Sequence, residues 1–295
     1  MQEQLYDYAI IGGDLRQVFL VEELARPYQR LCHYALCSLP KNERCSPLAS
    51  ITPASSLSEI CNRSRNIICP IPLSRDGITL HQSGMDEEIS LPKLLELLQP
   101  DQHFFAGSIP TDFQEAAKTK GILLHDLMAD ASLAWFNTLA TAEGAICEAI
   151  LSSPVNLYKS RCLVLGYGKC GKTITQYLNG MYCHPDILTD SGEERAQACL
   201  CAVRTGALSA MEEWIQDYDF IFNTVPALVL TASLLKKANP GVTIIDIASA
   251  PGGVDFDAAH ERNITAKLTL GLPGKYAPAS SARGIKTAIE TILKE

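Results

Sequence analysis

The chain has 295 residues, of which 47% are apolar, 20% charged and 7% aromatic, a balance that supports a buried core and excludes disordered and fibrous classes. A formal charge of −8, with no Lys/Arg run longer than two, argues against a nucleic-acid partner. No stretch of about 18 apolar residues occurs, and Met-Gln-Glu-Gln-Leu-Tyr-Asp carries acids where a secretory signal carries bases, so the expectation is a cytoplasmic protein without a membrane span.

In chain order, Tyr6 to Gly13 is a short apolar run ending in two glycines, followed by Leu15 to Arg26 with Val18, Leu20, Val21 and Leu24 at helical spacing. Strand-length runs follow at Leu31–Leu36, Asn66–Pro70, His103–Ala106 and Ile122–His125, and Leu91–Leu98 reads as a helix with Ser90 as its N-cap. Strands alternating with helices imply a parallel sheet covered on both faces. From Asp130 to Leu151 an Ala-rich stretch without Pro reads as one long helix, ended by Pro154. A second α/β series then begins, with strands expected at Arg161–Leu165, Asp186–Thr189, Asp219–Asn223, Val242–Ile247 and Ile264–Leu270. Ser209-Ala-Met-Glu212 has capping-box spacing, Gly271–Ser281 reads as a rigid loop, and a terminal helix is expected around Arg283–Leu293. The fold class is therefore α/β, with two doubly wound parallel-sheet domains. Residues 1–130 form a flavodoxin/Rossmann-like domain on the substrate side and 131–152 a connecting helix. Residues 153–270 form the second such domain, and 271–295 a loop and helix packing back towards the first domain.

The most informative stretch is Leu163-Val-Leu-Gly166-Tyr167-Gly168-Lys169-Cys170-Gly171, three glycines at G-x-G-x-x-G spacing where a strand becomes a helix. Gly166 permits the tight turn, Gly168 lets backbone approach a pyrophosphate, and Gly171 lets helix and strand pack closely. Asp190, 22 residues after Gly168, is placed to accept hydrogen bonds from an adenosine ribose, while nearby Arg195 offers a route to a 2′-phosphate. The expected cofactor is thus NAD or NADP, and 153–270 is read as a Rossmann NAD(P)-binding domain. Asn223-Thr224-Val225-Pro226 and Asp246-Ile247-Ala248-Ser249 end neighbouring strands and would line the same crevice. Gly166, Gly171, Lys172 and Thr173 also fit G-x-x-x-x-G-K-[ST], with Asp246 as the acid of a P-loop NTPase.

Of six His, His125, beside Asp126, is best placed for a cleft, and Lys275 in the late loop has the charge to meet a carboxylate. Asp14 and Arg16 put an acid and a base at the first strand-to-helix corner. The eleven Cys are odd in number without C-x-x-C spacing, which reads as reduced buried thiols and no metal site.

Taken together, Ile10-Ile-Gly-Gly-Asp-Leu-Arg-Gln17, Asn137-Thr-Leu-Ala-Thr-Ala-Glu-Gly-Ala-Ile146, the turn at 165–171, Ile245–Asp255 and Leu270-Gly-Leu-Pro-Gly-Lys-Tyr-Ala-Pro278 resemble the family of dipicolinate synthase A subunits. That family is itself similar in layout to D-2-hydroxyacid dehydrogenases. The resemblance implies a dehydrogenase-like protein acting with a flavoprotein-like B subunit of dipicolinate synthase in the mother cell of a spore-forming bacterium, as a homodimer or hetero-oligomer. It implies oxidation of the cyclic product of dihydrodipicolinate synthase to pyridine-2,6-dicarboxylate with NAD(P). Carried over, it makes Glu143, Lys275 and Asn137 the catalytic candidates, Glu143 taking a ring proton or serving the helix. Arg16, Asp14, Thr141 and Lys275 become the candidates for the small dicarboxylate substrate, with Arg16 free either to meet substrate or to pair with Asp14. Asp190 stands where family members often have Arg, which leaves nucleotide preference open. A non-catalytic NAD(P)-binding module regulating a partner is the alternative.

Overall fold

The structure, a computed structural model, describes residues 6–38, 51, 53–84 and 88–294. The chain divides into two compact units, 1–137 with 277–295, and 138–276.

In the first unit, β1 (Tyr6–Ile11), α1 (Leu15–Leu24), β2 (Leu31–Tyr34), α2 (Leu57–Asn62), β3 (Ser64–Ile68), α3 (Leu91–Leu97), β4 (His103–Ala106), α4 (Thr111–Thr119) and β5 (Leu123–Asp126) alternate along the chain. The five strands form one sheet in the order β2-β1-β3-β4-β5, parallel throughout. Alternation of side chains sends Ala9, Ile11, Ile67 and Phe104 into one apolar layer and Tyr8, Ile10, Ile68 and Phe105 into the other. Both faces are dry, which is why the strands read as continuous apolar runs.

The long helix α5 (Ala131–Ser152) starts as the sequence indicates, with Asp130 accepting the Leu133 amide at 2.6 Å. Beyond it lie β6 (Arg161–Leu165), α6 (Lys169–Gly180), β7 (His184–Leu188), α7 (Gly192–Ala198), β8 (Thr205–Gly206), α8 (Met211–Trp214), β9 (Phe220–Asn223), α9 (Ala232–Leu235), β10 (Thr243–Asp246), α10 (Phe256–Glu261) and β11 (Thr265–Leu268). Their sheet runs β11-β10-β9-β6-β7-β8, again all parallel. Counted from β6, this is the 3-2-1-4-5-6 order of a dinucleotide-binding sheet, and the first unit has the 2-1-3-4-5 order of flavodoxin-like folds.

Three local expectations are corrected. Ser209 and Glu212 do not form a capping box, because Leu208–Ala210 is a short 3-10 turn and α8 begins without a side-chain cap. The expected loop 271–281 is largely helical, holding α11 (Leu272–Tyr276) and the start of α12 (Pro278–Ile292), whose first turn accommodates Pro278 because no N–H is needed there. Several strand ends also fall a residue or two from the expected positions, as at β2, β3 and β7. In the first unit α12 packs along α1, with Arg283 and Lys286 each 3.5 Å from Glu23 and Arg26 3.1 Å from Glu290.

Most of the described thiols are buried, and Cys199 is exposed. Among the described residues, no three His, Cys, Asp or Glu come together to hold a metal, and no helix is long and apolar enough to cross a membrane.

Candidate functional site

The second unit builds its site where β6 runs into α6, between β7 and β9 on either side, which is the point at which strand order reverses. Open α/β sheets bind ligands beyond the strand carboxyl ends at such a point. Gly166 has φ +83, and a Cβ there would come within 2.5 Å of the Thr224 hydroxyl. That hydroxyl is fixed by donating to the Leu165 carbonyl at 2.9 Å. A Cβ on Gly171 would strike the Gly166 carbonyl oxygen. These two glycines are explained by the protein's own packing.

Gly168 is different, since a Cβ there would meet no atom nearer than Glu194 Oε1 at 4.0 Å. It is the N-cap of α6 and offers no side-chain cap, so the first amides of the helix are left for an outside acceptor. Residues Gly166, Gly168, Lys169 and Cys170 border this opening, while the Tyr167 ring turns inward, its hydroxyl 2.8 Å from Cys201 Sγ.

A carboxylate already faces this turn. Glu194, on α7, accepts the Thr189 hydroxyl at 2.5 Å and the Tyr167 amide at 3.3 Å. Asp190, the sequence candidate for the ribose, is exposed and accepts the Leu208 amide at 3.0 Å. Arg195 donates to the Thr189 carbonyl at 2.7 Å. Sequence spacing selected Asp190 and missed Glu194, which reaches the turn only because α7 folds back along the end of β7.

Asp246, fully buried at the end of β10, accepts from Asn223 Nδ2, the Ala248 amide and the Gly253 amide at 2.9, 2.9 and 2.6 Å. It ties down Ile247, Ala248 and the following turn beside Thr224, Val225 and Pro226. This geometry removes the NTPase reading. The acid it needs is consumed internally, and α6 starts at Lys169, so Lys172 and Thr173 are helical instead of closing a phosphate loop. Thr173 is buried on Thr138 at 2.7 Å, and Lys172 lies 5.7 Å from the Tyr167 ring centroid.

The remaining candidates fall into place individually. Lys275 donates to Glu148, which also accepts the Tyr276 hydroxyl at 2.7 Å, and these bonds hold the Glu148 carboxyl below its usual range and raise the Lys275 ammonium. Glu143 is exposed on α5 and accepts the Tyr177 hydroxyl at 3.0 Å, while Thr141 is half-buried. Asn137, in the first unit, is buried with its amide nitrogen 3.5 Å from Met128 Sδ. Also there, Arg16 makes a two-pronged pair with Asp14 at 2.9 and 2.7 Å and donates to the Ile71 carbonyl. His125 stacks beside both Phe105 and His103, and burial together with the His103 charge pushes its imidazole down.

Fold and glycine turn together define a two-unit, dehydrogenase-like α/β protein. Residues 7–128 match the family described as the N-terminal domain of the dipicolinate synthase A subunit. The whole chain is similar to the A subunit of dipicolinate synthase from Bacillus subtilis, with 25% identity over 97% of this chain and 95% of that one. The crystal structure of the A subunit of dipicolinate synthase from Bacillus halodurans matches at TM-score 0.82 and 25% identity, covering 98% of each chain. A D-lactate dehydrogenase from Treponema pallidum shares the fold at TM-score 0.60 and 12% identity, over 97% of each chain. Residues 7–128 are thus similar to the N-terminal domain of this synthase subunit, and the resemblance read from the motifs extends along nearly the entire sequence.

Proposed function

We propose that this chain is the nicotinamide-dependent oxidoreductase component of a dipicolinate synthase, working with the flavoprotein-like B subunit in the mother cell of a spore former. Its substrate would be the cyclic product of dihydrodipicolinate synthase, and its product pyridine-2,6-dicarboxylate. The observation that carries this reading is the uncapped amino end of α6 at the strand-order reversal, with Gly168 open where packing gives no reason for glycine. A nicotinamide dinucleotide supplies a hydride acceptor when bound. Gly166, Gly168 and Gly171 shape the backbone for its pyrophosphate, and Thr224, Val225, Pro226, Ile247 and Ala248 border the crevice. Glu194 and Asp190 are the acids available to the adenosine ribose, and the Glu194 carboxylate on the turn disfavours a 2′-phosphate, so NAD is favoured over NADP. Because the ring becomes aromatic on losing a hydride and a proton, a modest base suffices, and exposed Glu143 is the candidate.

The test generates the cyclic intermediate in situ from pyruvate and aspartate semialdehyde, with and without the B subunit. It follows reduced nicotinamide alongside dipicolinate. Equal amounts of both, dependent on this chain, support the reading. No reduction of either nucleotide with an active partner present overturns it. The internal pairing of Lys275 and Arg16 favours the second reading, a regulatory NAD(P)-binding module. In that case NAD binds, while Glu143→Ala leaves turnover unchanged.

A further inference from the structure

The first unit has its own strand-order reversal, between β1 and β3, and the segment after β3 folds back over it. His81 donates its amide to the Leu73 carbonyl at 2.8 Å and gives its own carbonyl to the Gly13 amide at 2.9 Å, stitching residues 73–83 to the end of β1. Gly12 and Gly13 lie beneath with φ +65 and +92. A Cβ on Gly12 would meet Leu80 at 2.6 Å and Gln82 at 3.3 Å, and one on Gly13 would collide with the Gln17 amide. Backbone bonds and close packing therefore hold this corner in register.

Its charges are unevenly paired. Asp14 and Arg16 cancel one another in their buried pair. Arg75 is exposed, its Nη2 3.4 Å from His81 Nε2, and among the described residues no carboxylate lies within ion-pair distance of it. Arg75 is presented by a stiff loop in which Asp76 accepts from the Ser74 and Thr79 hydroxyls and from the Ile78 and Thr79 amides at 2.7 to 2.8 Å. His81 is buried, and burial followed by the Arg75 charge pushes its imidazole down to about 4, so it adds no charge at neutral pH. The Asp76 carboxylate is engaged by the hydroxyls and amides of its own loop, so Arg75 is left as a guanidinium without an ion-pair partner among the described residues. Two further donors, Gln17 Nε2 and Gln82 Nε2, are buried there without a hydrogen-bond acceptor among the described residues. Buried donors of this kind call for an acceptor.

We propose that Arg75, with Gln17, His81 and Gln82 around Gly12–Gly13, binds a carboxylate group of a small organic dicarboxylate. Arg75 takes the role that sequence reasoning gave to Arg16, because Arg16 already has its carboxylate in Asp14. An arginine fork matches a carboxylate with two parallel hydrogen bonds, and the neutral His81 imidazole accepts from Arg75 Nη2 and so orients the fork. The inference rests on the oxidoreductase reading for the identity of the acid.

Calorimetric titration of the full chain with pyridine-2,6-dicarboxylate, and separately with NAD, tests it. Arg75→Ala is expected to weaken dicarboxylate binding about tenfold or more, Arg75→Lys less, and neither to change NAD binding or the thermal midpoint. Unchanged dicarboxylate affinity in Arg75→Ala overturns the site. A wild-type chain that binds NAD and not the dicarboxylate overturns it too, while sparing the cofactor reading. Dicarboxylate binding that depends on Arg75 in a chain that binds neither nucleotide keeps the site and sinks the oxidoreductase assignment.

Discussion

The chain uses one local design twice, a parallel strand, a glycine pair and a helix, and finishes it in opposite ways. At the first corner, Asp14 caps α1 with its own carboxylate, Gln17 completes a capping box, and Arg16 neutralises the acid. At the second, Gly168 caps α6 with nothing. One helix end satisfies its amides with side chains and the other has no side-chain cap. The lesson is that an N-terminal glycine turn is an anion site only when the residue after it withholds a side chain, and that the first corner must recruit cations from elsewhere, as it does with Arg75.

The sharpest way to break the contrast is to give the second corner the cap of the first. Gly168→Asp is expected to leave α6 folded, because Asp is a favoured N-cap, and to weaken NAD binding by at least about 100-fold, near 3 kcal/mol, as read by titration against the thermal midpoint. The converse, Asp14→Ala, strips the cap and leaves the buried Arg16 unpaired. It should cost about 2–3 kcal/mol in denaturant unfolding. Its pH signature has a definite sign. Burial pushes the Asp14 carboxyl up, but hydrogen bonds from the Arg16 side chain and amide, with the Arg16 charge, outweigh burial and hold it below its ordinary value. The stabilisation is therefore complete above about pH 4, where an unfolded Asp is ionised, and is lost as pH falls through the lower folded value. The difference in stability between wild type and Asp14→Ala should shrink on acidification.

Much of this contrast is written in the sequence. The glycine spacing at 166–171, the strand before it and the helix after it are all local, and all three appear where periodicity placed them. What escaped was set by distance or by missing signals. Helix α4 begins after Pro110 without a side-chain cap, and α2 is only six residues long, too short to show a helical period. Glu194 lies 26 residues after Gly168, and no spacing rule distinguishes it from Asp190. The difference is one of position: Glu194 accepts the Tyr167 amide of the turn, while Asp190 accepts the Leu208 amide. Lys275 looked free because Glu148, its partner, is 127 residues away.

Two smaller effects sharpen the picture. Glu194→Gln should shift the NAD to NADP affinity ratio about tenfold towards NADP, and Asp190→Asn should shift it less, which titration with both nucleotides distinguishes. Lys275→Ala should change turnover by no more than about threefold, since its largely exposed ammonium is already engaged by the buried Glu148 carboxylate.

The burial of the thiols has a practical consequence for handling the molecule. Burial raises the Cys37 and Cys61 thiols to about 11 and about 12 and pushes Cys69 well above its ordinary value, so at neutral pH they are neither accessible nor ionised. Among the described cysteines, a maleimide would mark exposed Cys199 first. The slower incorporation of label at Cys61 and Cys69 in the first unit, and Cys162 in the second, would then time the opening of each sheet's packed layers, a built-in clock for local unfolding that needs no engineered probe.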